Sequence, residues 1–152
     1  MKEFYYIYNN EAIASCVILE YLQYVETLDI ARLCLLLPLL LDDRTVSYVS
    51  KNIDDKNSTL DSIVKENPRL FMAFNKRYLS LLPITINSIL LLNKNKQVRI
   101  SSNIISSNIK FNFCNTDMGN RFERIKHVIP FLATLLNAYS TSELYHILKV
   151  QL

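Results

Sequence analysis

Residues 33–41 read LCLLLPLLL, a run of nine apolar residues stopped by Asp42-Asp43-Arg44. A second run, residues 81–92, reads LLPITINSILLL, again with one proline inside it. Crossing a bilayer as a helix takes roughly 20 consecutive apolar residues, so neither run is long enough. A helix that is apolar on most of its surface needs covering on most of its surface. Two such helices are a heavy demand on a chain of 152 residues, which has little interior to spare. The pattern therefore points to a chain that lives against a partner.

Between and around these runs the spacing is helical. Asn9 or Asn10 can cap a first helix, and Ile13, Val17, Tyr21, Tyr24 and Leu28 follow at intervals of three or four. Glu20, Gln23 and Thr27 mark its wetter face. Asp29 can cap the leucine helix, in which Pro38 is expected to make a kink or break. Val46, Val49 and Ile53 suggest a short helix before the polar loop DDKNS. Ser58 with Asp61 resembles a capping box. Pro68 can open the next helix, carrying Leu70, Phe71, Phe74, Tyr78 and Leu82, with an interruption at Pro83 and an end near NKNK.

The period then falls to two. Val98 and Ile100 alternate with polar neighbours, as do Ile109, Phe111 and Phe113, which predicts a hairpin of 97–101 with 108–113 joined by SNIISS. A longer helix follows with Phe122, Ile125, Val128 or Ile129, Leu132, Leu135 or Leu136 and Tyr139 on one face, bent at Pro130. Ser140 and Glu143 form a capping box for a last helix that packs Leu144, Ile147 and Leu148 inward. The expected fold is one domain over 1–152, mainly α, a compact multi-helix arrangement with one small β-hairpin, winged-helix-like by analogy of element order.

Composition sharpens this picture. Gly119 is the only glycine, which disfavours a sheet-rich fold with many tight turns. It also excludes phosphate-binding loops, whose backbone must come close to the ligand at several glycines. Cys16, Cys34 and Cys114 are scattered and odd in number, the usage of buried thiols in a cytoplasmic protein. The opening MKEFYYIYNNEAIAS has no clean apolar core and no small-residue cleavage site, so no signal peptide is read there. With His127 and His146 these cysteines make no pair at zinc-ligand spacing, and no metal or cofactor is expected. A nucleophile built on Cys114 and His127 requires chance assembly in space. The acidic pairs Asp42-Asp43 and Asp54-Asp55 are sequence neighbours, which suits turns better than a shared catalytic centre. No enzyme is read from these residues.

Charge is divided unevenly. Residues 1–66 carry 6 Lys+Arg against 11 Asp+Glu, and residues 67–152 carry 11 against 3. Lys94, Lys96, Arg99, Lys110, Arg121, Arg124 and Lys126 are the candidate contacts to DNA, able to hold phosphates without reading sequence. The alternative is internal pairing between the halves and a solvated sheet face. For protein partners, Leu36, Leu37 and Leu40 of the leucine helix and the stripe Phe71, Phe74, Tyr78 are the candidate contacts, against plain core packing.

Four segments carry a family resemblance: YNNEAIAS at 8–15, LCLLLPLLLDDRT at 33–45, FNKRYLSLLPITINSILLL at 74–92 and SELYHILKVQL at 142–152. Their order and spacing resemble the small middle component of bacterial three-component ABC-ATPase defence systems, of which Lamassu is a member group. Leu-Leu-Pro occurring twice, and Arg77-Tyr78 before the second, are the most distinctive parts. The resemblance implies a non-catalytic subunit of an antiphage and anti-plasmid complex. Its implied partners are an SMC- or Rad50-like ATPase, which supplies the coiled coil and DNA sensing, and an effector subunit, often a nuclease. It implies DNA contact through the complex, no membrane, and no catalytic residues in this chain.

Overall fold

The computed structural model describes residues 10–108, 110 and 119–152. Asn10 accepts hydrogen bonds from the N–H groups of Ala12 (3.0 Å) and Ile13 (3.3 Å) and so starts α1, Glu11–Tyr21. That helix stops at Tyr21. Tyr24 and Leu28, read above as its continuation, lie beyond it, and Leu28 belongs to a strand, β1 (Thr27–Asp29). Asp29 then caps α2 (Ile30–Leu40), accepting from Arg32 N–H at 2.8 Å. Asp42 caps α3 (Asp43–Lys51) through the N–H and hydroxyl of Thr45. The next capping box falls one residue later than expected. Thr59 and Ser62 bond each other's backbone to open α4 (Leu60–Glu66), while Ser58 donates to Asp55.

Pro68 begins a single turn, α5 (Pro68–Phe71). The chain breaks at Met72-Ala73 and not at Pro83: α6 runs from Phe74 to Lys94 through its proline. At this break the Arg77 guanidinium bonds the carbonyl of Leu70 at the end of α5. Prolines do not end the other long helices either. α2 continues past Pro38, and α7 (Gly119–Asn137) passes through Pro130. Ser140 and Glu143 cap α8 (Thr141–Ile147) as the sequence predicts.

The hairpin is tighter than expected. β2 (Val98–Ser101) pairs with β3 (Ile104–Ser107) across a two-residue turn, Ser102-Asn103, so most of SNIISS is strand and not loop. Ile109, Phe111 and Phe113 lie outside the described residues. β1 adds to the far side of β3, with Leu28 opposite Ile105, giving an antiparallel sheet in the order β1-β3-β2. An early strand paired on the second strand of a late hairpin is also the strand order of a winged helix. Here the turn leaves no extended wing.

The described core is helical. α1 packs on α6 and α7, α2 on α6, and α3 on α7. At the centre lies α2, whose Leu33, Leu35, Leu36 and Leu37 are fully buried and whose Leu39 and Leu40 are 1% exposed. A helix apolar all round is one enclosed all round, and this chain encloses it by itself. The mainly α reading of the sequence describes the molecule.

Candidate partner interface

The six side chains proposed as partner contacts face inward. Leu36, Leu37, Leu40, Phe74 and Tyr78 are at most 3% exposed, and Phe71 is at 9%. They belong to the core of this chain and offer no surface, because α2 is enclosed by its neighbours and the aromatic stripe is buried in the same core.

The other side of α6 is the surprise. Leu79, Ile86, Leu90 and Leu91 stand 46–58% exposed, and Pro83 is exposed between them. On the buried side of the same helix lie Thr85 and Ser88, at 0%. Amphipathic order is thus partly inverted, with hydroxyls inside and leucines outside. The buried hydroxyls are satisfied within the helix: Thr85 donates to the Leu81 carbonyl at 2.9 Å and Ser88 to that of Ile84 at 2.7 Å. Satisfied in this way they cost little to bury. Being small, they let the α6 backbone approach its neighbours closely. Four large apolar residues, Leu79, Ile86, Leu90 and Leu91, remain on the outer face in addition to those that fill the inner one. Leu90 and Leu91, with Glu11, Asn87 and Lys94, line an open groove of about 410 Å³.

Sequence reading missed this face because it treated 81–92 as one apolar mass. The signal was present. Leu79, Pro83, Ile86 and Leu90 are spaced 4-3-4, the seam spacing of packed helices. A second stripe, containing Phe74, Tyr78, Leu81 and Leu92, accounts for the core side.

Three of the segments that carry the family resemblance, 33–45, 74–92 and 142–152, are tied together by side chains. Arg77 donates to the Pro38 carbonyl at 3.3 Å, approaches the Asp42 carboxylate at 3.9 Å, and lies 5.4 Å from the centre of the Phe74 ring. Tyr78 and Tyr145 share a hydrogen bond of 3.2 Å with their rings edge to face, and the Tyr145 hydroxyl donates to the Ala31 carbonyl at 2.6 Å. Burial and the Tyr78 hydroxyl push the Tyr145 phenol far above its ordinary range. The Arg77-Tyr78 dipeptide therefore bolts α6 to α2, α3 and α8. It is scaffold.

The seven basic candidates divide between elements. Lys94 and Lys96 stand exposed at the end of α6, Arg99 on β2, and Lys110 beyond Asn108. The Asn108 N–H donates to the Gln97 carbonyl at 3.0 Å, which holds that stretch beside the start of β2. On α7, Arg121 is committed internally, donating to Asp43 at 3.2 Å and to the Leu41 carbonyl at 3.0 Å. Lys126 is half-buried near Glu20. Arg124 is exposed and shares with Lys51, Ser47, Ser50 and Arg121 a cavity of about 150 Å³.

Of the pair weighed for catalysis, the structure describes one member. His127 is exposed on α7, and Cys114 lies outside the described residues. Burial pushes the Cys34 thiol up to about 11 and raises that of Cys16. Both therefore stay as thiols at neutral pH, not as thiolates. Among the described residues no three His, Cys, Asp or Glu side chains are grouped to hold a metal ion. No described helix is long and apolar enough to cross a membrane.

No curated protein and no solved structure matches the chain. One protein family does, described as the ABC-three component (ABC-3C) system Middle Component 3, and the match covers residues 2–152. With nearly its whole length matched, the chain belongs to the Middle Component 3 family of ABC-three component systems.

Proposed function

We propose that this chain is a non-catalytic assembly subunit that binds the ATPase of its three-component system through the outer face of α6. The observation that carries the reading is that face: four large apolar side chains about half exposed on one long helix, while Thr85 and Ser88 take two of the places on its buried side. Apolar surface gathered this way favours association when it is removed from water. Family membership supplies the context, since a middle component has other components to join. In the finer form of the proposal the system is Lamassu-like and acts against phage and plasmid DNA. The ATPase is SMC- or Rad50-like, and this subunit helps hold an effector nuclease in regulated form. Co-expression with the other two components tests the assembly role. A complex of fixed composition is expected, and lost on placing aspartates at Leu79 and Ile86. A complex insensitive to those changes excludes the α6 face, and a chain that never joins the ATPase excludes the role.

A second reading has its own observation. Lys94, Lys96, Arg99 and Lys110 are all exposed around the junction of α6 and β2. They would touch phosphates of DNA engaged by the complex. Arg121 is a poor probe of this, because its loss would disturb the α2–α3 corner. Lys94→Glu with Lys96→Glu and Arg99→Glu is the better variant. Weakened binding to short duplex DNA with a reduced salt slope supports the reading, and unchanged binding removes it.

A further inference from the structure

Resting on the assembly reading, we infer that the occupant of the α6 face is an amphipathic helix of another subunit, acidic along its flanks, and not a second copy of this chain. Spacing gives the helix. Leu79, Pro83, Ile86 and Leu90 follow the 4-3-4 order that lets one helix lie along another, over about 16 Å at 1.5 Å per residue. Pro83 adds a polar mark within the stripe. It has no N–H to give to the Leu79 carbonyl four residues earlier.

Charge gives the sign. Lys76 lies three residues before Leu79 and Lys94 four residues after Leu90, so both continue the stripe on the same side of the helix, and both are exposed. Between Phe74 and Lys94 there is no Asp or Glu. Lys96 follows at once, and Glu11, bonded by Asn87 at 3.3 Å, is the acid that lines the adjoining groove. An antiparallel second copy would set Lys76 of each chain against Lys94 of the other. A parallel copy would set each lysine against its counterpart. Like charges meet at both ends in either arrangement, and α6 has no acid of its own to relieve them. A partner helix with Asp or Glu beside its apolar seam meets both lysines favourably.

The test uses the full chain co-expressed with the other two components of its system. p-Benzoylphenylalanine replaces Ile86, and light-induced cross-links are mapped by mass spectrometry. The expected cross-link joins a partner segment with apolar residues at 3-4 spacing and carboxylates beside them. Lys76→Glu with Lys94→Glu should weaken the complex at least about tenfold, and added salt should shrink the difference. Leu79→Asp with Ile86→Asp should weaken it at least about a hundredfold while the isolated chain still folds, with a cooperative melting transition. A cross-link to a second copy, or to a basic segment, overturns the inference. A complex that forms but ignores the aspartates also overturns it, while leaving the assembly reading standing. Failure of the unaltered chain to form any complex brings down both.

Discussion

Lys149 adopts φ 55, a left-handed conformation that ordinarily favours glycine. It follows α8 in a Schellman ending, with Val150 N–H on the Tyr145 carbonyl and Lys149 N–H on that of His146, each at 3.1 Å. Lys96 ends α6 in the same way at φ 59. A side chain there costs about 1–2 kcal/mol, and glycine returns part of the gain through unfolded-chain entropy. Lys149→Gly should therefore stabilise the chain by about 0.5–1 kcal/mol in chemical denaturation. Arg77 acts in the other direction. Its replacement by alanine strands the carbonyls of Pro38 and Leu70 and should cost about 2 kcal/mol or more, with lysine restoring only part. Glu20 carries a pH signature. Its burial against α7 raises its pKa, with Lys126 opposing and Glu123 adding to the shift. A raised carboxyl contributes stability that is full below its ordinary pKa of 4.5 and lost as pH rises through its folded value. The Glu20→Gln variant should gain on the unaltered chain as pH rises from 4 to 8, read from paired denaturation curves. A gap that stays constant with pH counts against this account.

At the scale of elements, α2 and α6 look alike as sequence and differ as structure. Leu36→Ala, in the enclosed helix, should cost about 3 kcal/mol. Leu90→Ala, at 58% exposure, should stay within about 0.5 kcal/mol in the isolated chain. Urea titrations of the two variants give the comparison. Helix starts were readable where one polar side chain decides them, as at Asn10, Asp29 and Ser140. Breaks were less readable, because they depend on distant groups. The break between α5 and α6 falls at Met72-Ala73, where Arg77 bonds the Leu70 carbonyl, and not at Pro83. The sheet was only half legible. Ser102 makes its turn at φ 55 without a glycine to announce it, and three-residue β1 takes its shape from β3, more than 70 residues away. The exposed side of α6 was hidden for a related reason: hydropathy marks apolar residues but not which of two stripes the neighbours will cover.

For the whole molecule, the expectation that two apolar helices need outside help does not hold for α2. α2 is covered by its own chain, and α6 carries its outer leucines to the surface. Family segments far apart in sequence converge on one interior lock: Pro38 and Asp42, Arg77 and Tyr78, and Tyr145. That lock ties α6 to α2, α3 and α8 behind its outer face. The candidate contacts read from sequence were the lock and the core, and the contacts proposed here are what they support. The most direct measurement is the mass, by light scattering, of this chain co-expressed with the other two components, compared with the Leu79→Asp, Ile86→Asp variant. The account predicts a complex of defined mass for the unaltered chain, and a folded but solitary subunit for the variant. A variant that assembles as well as the unaltered chain would contradict it.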